Sequence, residues 1–145
     1  MKQYKNILLA LALEPESDMK VIAKAKEFVS AFGATLRVVH AVEYLSSYGA
    51  AYGVAAGIDV DHVLKTEAEQ LMAKIIEDLG VPKSHGIVLD GSAKQMILSE
   101  AERVKADLII VGSHSRHGFQ LLLGSTANAI LHGAPCDVLA VRVKS

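Results

Sequence analysis

Residues 107–126 read DLIIVGSHSRHGFQLLLGST, and this stretch decides the fold. The run from Leu108 to Val111 is apolar without alternation, as expected of a strand that is covered on both faces. A turn containing glycines follows, and Ser125 and Thr126 then stand where a helix begins. A buried strand that leads through such a turn into a helix is typical of a doubly wound parallel sheet.

The rest of the chain repeats this alternation. Four other apolar runs have the composition of strands, at 7–13, 36–42, 87–89 and 138–143. Amphipathic stretches between them predict helices, which begin near residues 15, 61, 92 and 127. The segment 43–59 has three glycines and no clear period, which predicts a loop or lid. We therefore expect one domain over 1–145, an α/β fold with a single doubly wound five-stranded parallel sheet and helices on both faces.

Composition limits the class of protein. A chain of 145 residues with 51% hydrophobic content is long enough for one sizeable core. Its 15 basic and 16 acidic side chains give no net field that would attract nucleic acid or an anionic membrane. The single cysteine, Cys136, fits a reducing compartment and a small apolar filler at a strand start, and no signal peptide is recognisable. These features predict a cytoplasmic protein with no membrane span.

In an open parallel sheet, ligands bind beyond the carboxyl ends of the strands where the strand order reverses, so the loops after the first and fourth strands are the natural candidates. Gly112 allows a backbone to pass close to a ligand. The donors of the second loop are the amides and hydroxyls of Gly124, Ser125 and Thr126 and the side chains of His114, Arg116 and His117. This combination predicts a phosphate cradle. The same residue types also occur wherever a strand turns into a helix, so both interpretations stay open.

Other chemistry finds less support in the sequence. His114 and His117 have no cysteine or carboxylate nearby to complete a metal site. His40 lies in an apolar strand and is better explained as a hydrogen-bonded histidine at the core or its rim. Asp90 precedes a glycine, which favours a turn role, and Ser92 has the spacing of a helix cap. Nothing matches a P-loop or a nucleophile elbow, so we predict no catalytic residue and no enzyme activity.

Four stretches of the chain resemble the universal stress protein family. They are GSHSRHGFQLLLGST, the following ANAILHGAPCDVLAVR, the opening YKNILLALAL and LRVVHAV in the second strand. Family members that bind ATP carry Gly-x2-Gly-x9-Gly-Ser/Thr between strand four and the last helix. The resemblance covers essentially the whole chain and implies the strand order 3-2-1-4-5, with a function as a non-enzymatic regulator of the stress response.

The resemblance also implies a site for ATP or AMP, with no metal beyond the Mg²⁺ that accompanies ATP. By position, Gly112 and Gly124 are the first and third glycines, and Ser125 holds phosphate. The remaining positions are Ala12, the backbone of Ala41, Val111 beneath the nucleotide, His114, Ser115, Arg116 and Thr126. Ser115 replaces the second glycine, the segment is one residue shorter than the motif, and Ala12 replaces an aspartate. Loss of that carboxylate removes a bond worth about 1.5 to 3 kcal/mol, which predicts at least about tenfold weaker binding. The alternative is a nucleotide-free member that acts on a partner protein through its dimer surface.

The last predicted strand would lie at an edge of the sheet, where its backbone needs covering or pairing. In the family this strand pairs with its copy in a second subunit, so we expect a homodimer. The residues that would form this edge are Val138, Ala140, Val141 and Val143. Arg142 and Lys144 could instead protect the edge of a monomer.

Overall fold

The computed structural model describes residues 3–43, 60–113 and 125–143. Within them the elements follow in the order β1 Asn6–Ala10, α1 Pro15–Phe32, β2 Thr35–Val42, α2 Val60–Leu79, a short 3-10 helix Lys83–His85, β3 Gly86–Asp90, α3 Ala93–Arg103, β4 Leu108–Gly112, α4 Ser125–Gly133 and β5 Asp137–Val141. The five strands form one parallel sheet in the order β3-β2-β1-β4-β5. The predicted fold class and strand order are therefore confirmed. The predicted loop or lid at 43–59 lies, apart from its first residue, outside the described residues.

The core has two layers because β1 is apolar on both faces. Ile7, Leu9 and Leu11 belong to one hydrophobic cluster, which α1 and α2 cover with Val21, Ala25, Met72 and Ile76. Leu8 and Ala10 belong to the other cluster, which α3 and α4 cover with Ile97, Ala101, Ala127 and Ile130. Alternate strand residues point to opposite faces, so a strand without polar positions needs helices on both sides.

The boundaries of two strands, β1 and β3, differ from the predicted ones. β1 ends at Ala10 and does not reach residue 13, where Leu13 has a left-handed φ of 60° that a strand does not accommodate. The amide of Leu11 still donates to the carbonyl of Val39 at 3.0 Å, so pairing runs one residue past the strand. β3 is longer than predicted because its five residues pair with residues 38–42 of β2.

The ends of two helices follow their local sequence. Ser92 caps α3, as predicted, because its Oγ accepts a hydrogen bond from the amide of Gln95 at 3.2 Å. Gly33 ends α1 with a φ of 65°, a left-handed conformation that glycine adopts without steric strain because it has no Cβ. Both ends lie close to the predicted positions.

Asp107 joins the start of β4 to the start of β1. Its two carboxylate oxygens accept from the amides of Lys5 at 2.9 Å and Asn6 at 3.1 Å. The side chain of Asn6 in turn donates to the carbonyl of Lys105 at 3.3 Å. These bonds fix the two central strands at the amino edge of the sheet, which leaves the opposite, carboxyl edge for a ligand.

Candidate functional site

The strand order reverses between β1 and β4, and this places the candidate site. β1 lies between β2 and β4, with Ala10 opposite Val111 in the ladder. Both side chains are buried on the face that α3 and α4 cover. Beyond them the chain leaves the sheet at Leu11 and Ser113, so the crevice outside the carboxyl ends opens between these two positions.

Helix α4 begins next to this crevice. It follows β4 and leads into β5, which is parallel to β4, so its first turn lies at the carboxyl edge. Ala127 and Ile130 are fully buried in the second cluster and fix the helix against the sheet. The amides in the first turn of a helix have no partners within the helix and carry the positive end of the helix dipole, which favours an anion.

The structure brings several of the predicted nucleotide-binding residues to this edge. Ala12 is exposed just beyond β1, and Ala41 is half-buried near the end of β2. Val111 is buried at the floor, and Thr126 is half-buried in the first turn of α4. Ala41 continues the alternation of Val39 along β2, whose side chain faces α3 and α4. Ala41, Val111 and the start of α4 therefore share one face of the sheet, and Ala12 lies at its carboxyl edge, two residues beyond β1.

Gly112 has a role that the sequence did not indicate. A Cβ atom on this residue would lie 3.3 Å from Cγ1 of Val143 and 3.4 Å from Cγ2 of Val21. Both partners lie on the face that α1 covers, opposite to Val111. The glycine therefore allows close packing between β4, α1 and the end of β5, and its missing side chain would not point into the crevice.

Four predicted site residues, His114, Ser115, Arg116 and Gly124, lie outside the described residues, as does His117. Ser125 is described as the first residue of α4, without its side chain. The phosphate-cradle assignment of these residues stays a prediction.

Asp18 is a buried carboxylate at the start of α1, and no motif in the sequence points to it. It lies in the first turn of α1 and only 6% of it is exposed. Burial raises the pKa of Asp18 from 3.8 to about 6, and hydrogen bonds from the amides of Glu14, Ala12 and Leu13 oppose this rise. An acidic residue in the first turn of a helix is the signal that could have drawn attention to it.

His40 contacts the same part of the chain from β2. Its Nδ1 lies 2.7 Å from the carbonyl oxygen of Leu11, so this nitrogen carries the proton and donates it. Burial lowers the pKa of His40, and the bond to Leu11 opposes that effect. The prediction of a hydrogen-bonded histidine at the rim of the core is confirmed.

The ends of β2 and β3 are closed by contacts within the chain. Oε1 of Glu43 accepts from the amide of Ala93 at 2.9 Å, at the start of α3. Asp90 accepts from Nζ of Lys65 at 2.7 Å, which ties β3 to α2. Asp90 therefore ends β3, as predicted, and takes part in an ion pair, which the predicted turn role did not include. The helix start at α3 is occupied by a side chain of this protein, which leaves the region between β1 and β4 as the candidate site.

The described ranges also bear on metal binding and on membrane insertion. Across 3–43, 60–113 and 125–143, no three His, Cys, Asp or Glu side chains are grouped so that they could hold a metal ion. In those same ranges no helix has both the length and the apolar character that a membrane span requires.

An open five-stranded α/β sheet whose strand order reverses beside a helix start defines a doubly wound protein with a ligand edge. Comparison with known proteins identifies the family within this class. A model of the universal stress protein family matches residues 3–142, and the chain belongs to this family. Universal stress protein A homolog 2 of Coxiella burnetii (strain RSA 493 / Nine Mile phase I) is 58% identical over 144 residues, which cover 99% of each chain. Homolog 1 of the same organism is 40% identical over 142 residues, which cover 97% of this chain and 98% of that one.

Solved structures share the fold at low sequence identity. The universal stress protein UspA from Lactobacillus plantarum superposes with a TM-score of 0.81 at 18% identity, covering 98% of this chain and 100% of that one. A universal stress protein in complex with cAMP gives a TM-score of 0.63 at 20% identity, covering 99% and 100%. At these identities the likeness concerns the architecture.

Proposed function

We propose that this protein is a cytoplasmic, non-enzymatic regulator of the stress response that binds an adenine nucleotide, ATP or AMP, between the ends of β1 and β4. The observation that carries the proposal is that the start of α4 lies on the same face of the sheet as Ala41 and Val111, and at the same edge as Ala12. A family member of the same fold in complex with cAMP supports an adenine nucleotide as the ligand class.

The proposed contacts follow from the chemistry at each position. The amides at the start of α4 and the hydroxyl of Thr126 would donate to phosphate oxygens. Val111 would form the apolar floor, and the backbone of Ala41 would meet the base. His114, Ser115, Arg116, Gly124 and Ser125 are the proposed phosphate contacts of the loop. Mg²⁺ would arrive with ATP, on its phosphates.

Ala12 sets the expected affinity. A methyl group at this exposed position accepts no hydrogen bond from a ribose hydroxyl, whereas a carboxylate would. An Ala12→Asp variant should therefore bind AMP at least about tenfold more tightly than the natural chain. Ser84→Asp is the matched control, since it adds the same charge at an exposed position on the opposite edge of the sheet.

The deciding experiment is calorimetric titration of protein stripped of ligand with ATP, AMP, cAMP and GTP. We expect saturable binding of the adenine nucleotides, its loss in Gly124→Asp, and its retention in both Ser84→Asp and Gly112→Ala. Retention in Gly112→Ala follows because the added Cβ would face Val21 and Val143. Unchanged affinity in Gly124→Asp would remove the loop from the site, and no binding of any adenine nucleotide would refute the proposed ligand.

The second candidate is a nucleotide-free regulator that acts on a partner protein through a homodimer. It is favoured by the position of β5 as the last strand of the sheet. Val138, Ala140 and Val143 are half-buried along it, while Val141 is buried in the core of its own protomer. Val141 would therefore contribute little side-chain surface to a dimer.

A single backbone change tests this dimer. The carbonyl of Val141 accepts from the amide of Ser113 at 2.8 Å and so points toward β4, which directs the amide of its neighbour Ala140 outward. Ala140→Pro removes that outward donor while leaving the ladder with β4 intact. We expect a dimer for the natural chain and a monomer for the variant in sedimentation velocity, with circular dichroism as the control for folding. A dimer in both would show that β5 is not the interface.

A further inference from the structure

Residues 11–14 connect β1 to α1, and we refer to them as the β1–α1 linker. Leu13 has a φ of 60°, a left-handed conformation that residues with a Cβ avoid because the side chain approaches the following carbonyl. Such a conformation persists only where the surrounding structure enforces it. At the helix end of the linker, the carbonyl of Glu14 accepts from the amide of Asp18 at 2.8 Å, in the first turn of α1. The other end, at Leu11, is held by β2.

Leu11 is bound to β2 through both of its backbone polar groups. Its amide donates to the carbonyl of Val39 at 3.0 Å. Its carbonyl accepts from Nδ1 of His40 at 2.7 Å. In a parallel ladder that continued past Ala10, this carbonyl would accept from a backbone amide of β2, and here a side chain of the same strand donates to it. The ring of His40 therefore extends the attachment of the first strand to β2 beyond the last paired residue.

The bond from His40 constrains more than one atom of the linker. The carbonyl of Leu11 and the amide of Ala12 belong to the same planar peptide group. A donor that holds this carbonyl therefore also sets the direction of the next amide. Ala12 is exposed at the carboxyl edge, and its methyl side chain neither donates nor accepts a hydrogen bond. The polar groups that Ala12 presents to a ligand are therefore those of its backbone.

His40 itself lies on the other face of the sheet from the candidate site. Side chains alternate along β2, and Leu36 and Val38 belong to the cluster under α1 and α2. His40 continues their alternation and is half-buried, whereas Ala41 points to the opposite face. Any influence of the ring on a ligand would therefore pass through the backbone of the β1–α1 linker.

We propose that His40 is a positioning residue of the candidate site, which sets the orientation of the backbone of Ala12 by holding the carbonyl of Leu11. This role rests on the proposed function, because it concerns the same site. The bond requires one tautomer of the neutral ring: a carbonyl only accepts, so Nδ1 carries the proton and Nε2 does not. Burial lowers the pKa of His40, so the ring is neutral in mildly alkaline solution.

Two variants of His40 separate its hydrogen bond from the bulk of its ring. His40→Leu removes the donor and keeps a side chain that suits an apolar strand. His40→Asn keeps a donor nitrogen bonded to Cγ, the same atom that carries Nδ1 in histidine. We expect AMP affinity to fall about tenfold in His40→Leu, the equivalent of one hydrogen bond. His40→Asn should restore the affinity to within about threefold of the natural value.

The matched control is His85→Leu. Nδ1 of His85 lies 3.0 Å from the carbonyl oxygen of Leu36, so this variant removes the same kind of bond to β2. His85 is also half-buried, but it lies at the opposite edge of the sheet, just before β3 begins. We expect His85→Leu to lose stability without a change in AMP affinity. An equal fall in affinity in His85→Leu and His40→Leu would reduce the role of His40 to general stability and overturn the proposal.

NMR provides a readout that needs no nucleotide. The nitrogen shifts of the His40 ring, measured on the natural chain in mildly alkaline solution, should show the proton on Nδ1. A proton on Nε2 instead would overturn the proposal even if His40→Leu failed to fold. The amide signal of Ala12 should move in His40→Leu and stay near its natural position in His40→Asn and His85→Leu.

The two readouts separate a failure of the positioning role from a failure of the proposed function. Equal AMP affinity in the natural chain and His40→Leu would overturn the positioning role while the proposed function stood. No binding of AMP to the natural chain would refute the proposed function. The amide of Ala12 would then still decide whether His40 orients it, and an unmoved signal in His40→Leu would show that it does not.

Discussion

The phenol oxygen of Tyr4 lies 2.7 Å from Oδ2 of Asp137, across 133 residues of chain. Tyr4 precedes the first strand, and Asp137 is the first residue of the last strand. The ring of Tyr4 also meets Phe32 of α1 edge-on, with 5.3 Å between the ring centroids. This contact ties the edge strand β5 to the start of β1 at the edge opposite the candidate site. The hydrogen bond to Asp137 raises the pKa of Tyr4 above its ordinary value, because only the protonated phenol can donate this bond.

Tyr4→Phe should lower the free energy of unfolding by at most about 1 kcal/mol, because it removes one exposed hydrogen bond and keeps the ring. The measurement is urea denaturation at pH 7. Tyr4→Ala should cost more, since it also removes the packing against Phe28 and Phe32. Equal losses in the two variants would mean that the ring contributes nothing.

Gly86→Ala should be strongly destabilising. A Cβ on Gly86 would collide with Cγ1 of Ile76 and lie 2.8 Å from its Cδ1 and 3.2 Å from Cγ of Met72. Ile76 is buried, so it has little room to move. We expect a loss of about 2 kcal/mol, typical of overpacking. A double-mutant cycle with Ile76→Ala provides the control, because the double variant should cost less than the two single variants together. Additive losses would contradict the collision.

Asp18 should make stability depend on pH with a defined sign. Because its pKa in the folded state is raised, its contribution to stability is complete below the unfolded pKa of 3.8 and is lost as pH rises through about 6. The full difference corresponds to roughly 3 kcal/mol. Relative to the natural chain, Asp18→Asn should therefore gain stability between pH 4 and pH 8. Denaturant unfolding of both proteins at several pH values measures this difference. If Asp18→Asn instead lost stability relative to the natural chain as pH rises, the pKa of Asp18 would not be raised in the folded state.

Arg103→Ala should destabilise the fold because it removes the ion-pair partner of the buried carboxylate of Glu100. This carboxylate is only 3% exposed and receives two bonds from the guanidinium, from Nε at 2.8 Å and from a terminal nitrogen at 2.6 Å. Removing the partner leaves a buried charge with fewer donors. Lys24→Ala is the matched control, because it breaks an ion pair of the same spacing with Glu27 in which both groups are exposed. Thermal unfolding should show a larger loss of stability for Arg103→Ala than for Lys24→Ala. Equal losses would show that burial of Glu100 does not make its ion pair more important.

Local patterns determined the architecture of this protein. The apolar run through 7–11 requires helices on both faces, and Ser92 and Gly33 end helices by chemistry confined to a few residues. The carboxyl edge also followed from the pattern, because parallel strands joined by helices bring all their loops to one side. The motif around Gly112 indicated the family, which the comparisons confirmed.

Only the tertiary structure decided how the edge is held. The sequence gives no sign that His40 of β2 contacts the carbonyl of Leu11 or that Asp18 becomes buried, since both depend on elements that are distant in the chain. Likewise, the space beside Gly112 is defined by Val21 and Val143, which are distant in the chain. The physical reason is that hydrophobic period and capping are short-range properties. Burial of a charge and the room for a Cβ depend on which surfaces meet when the helices pack on the sheet.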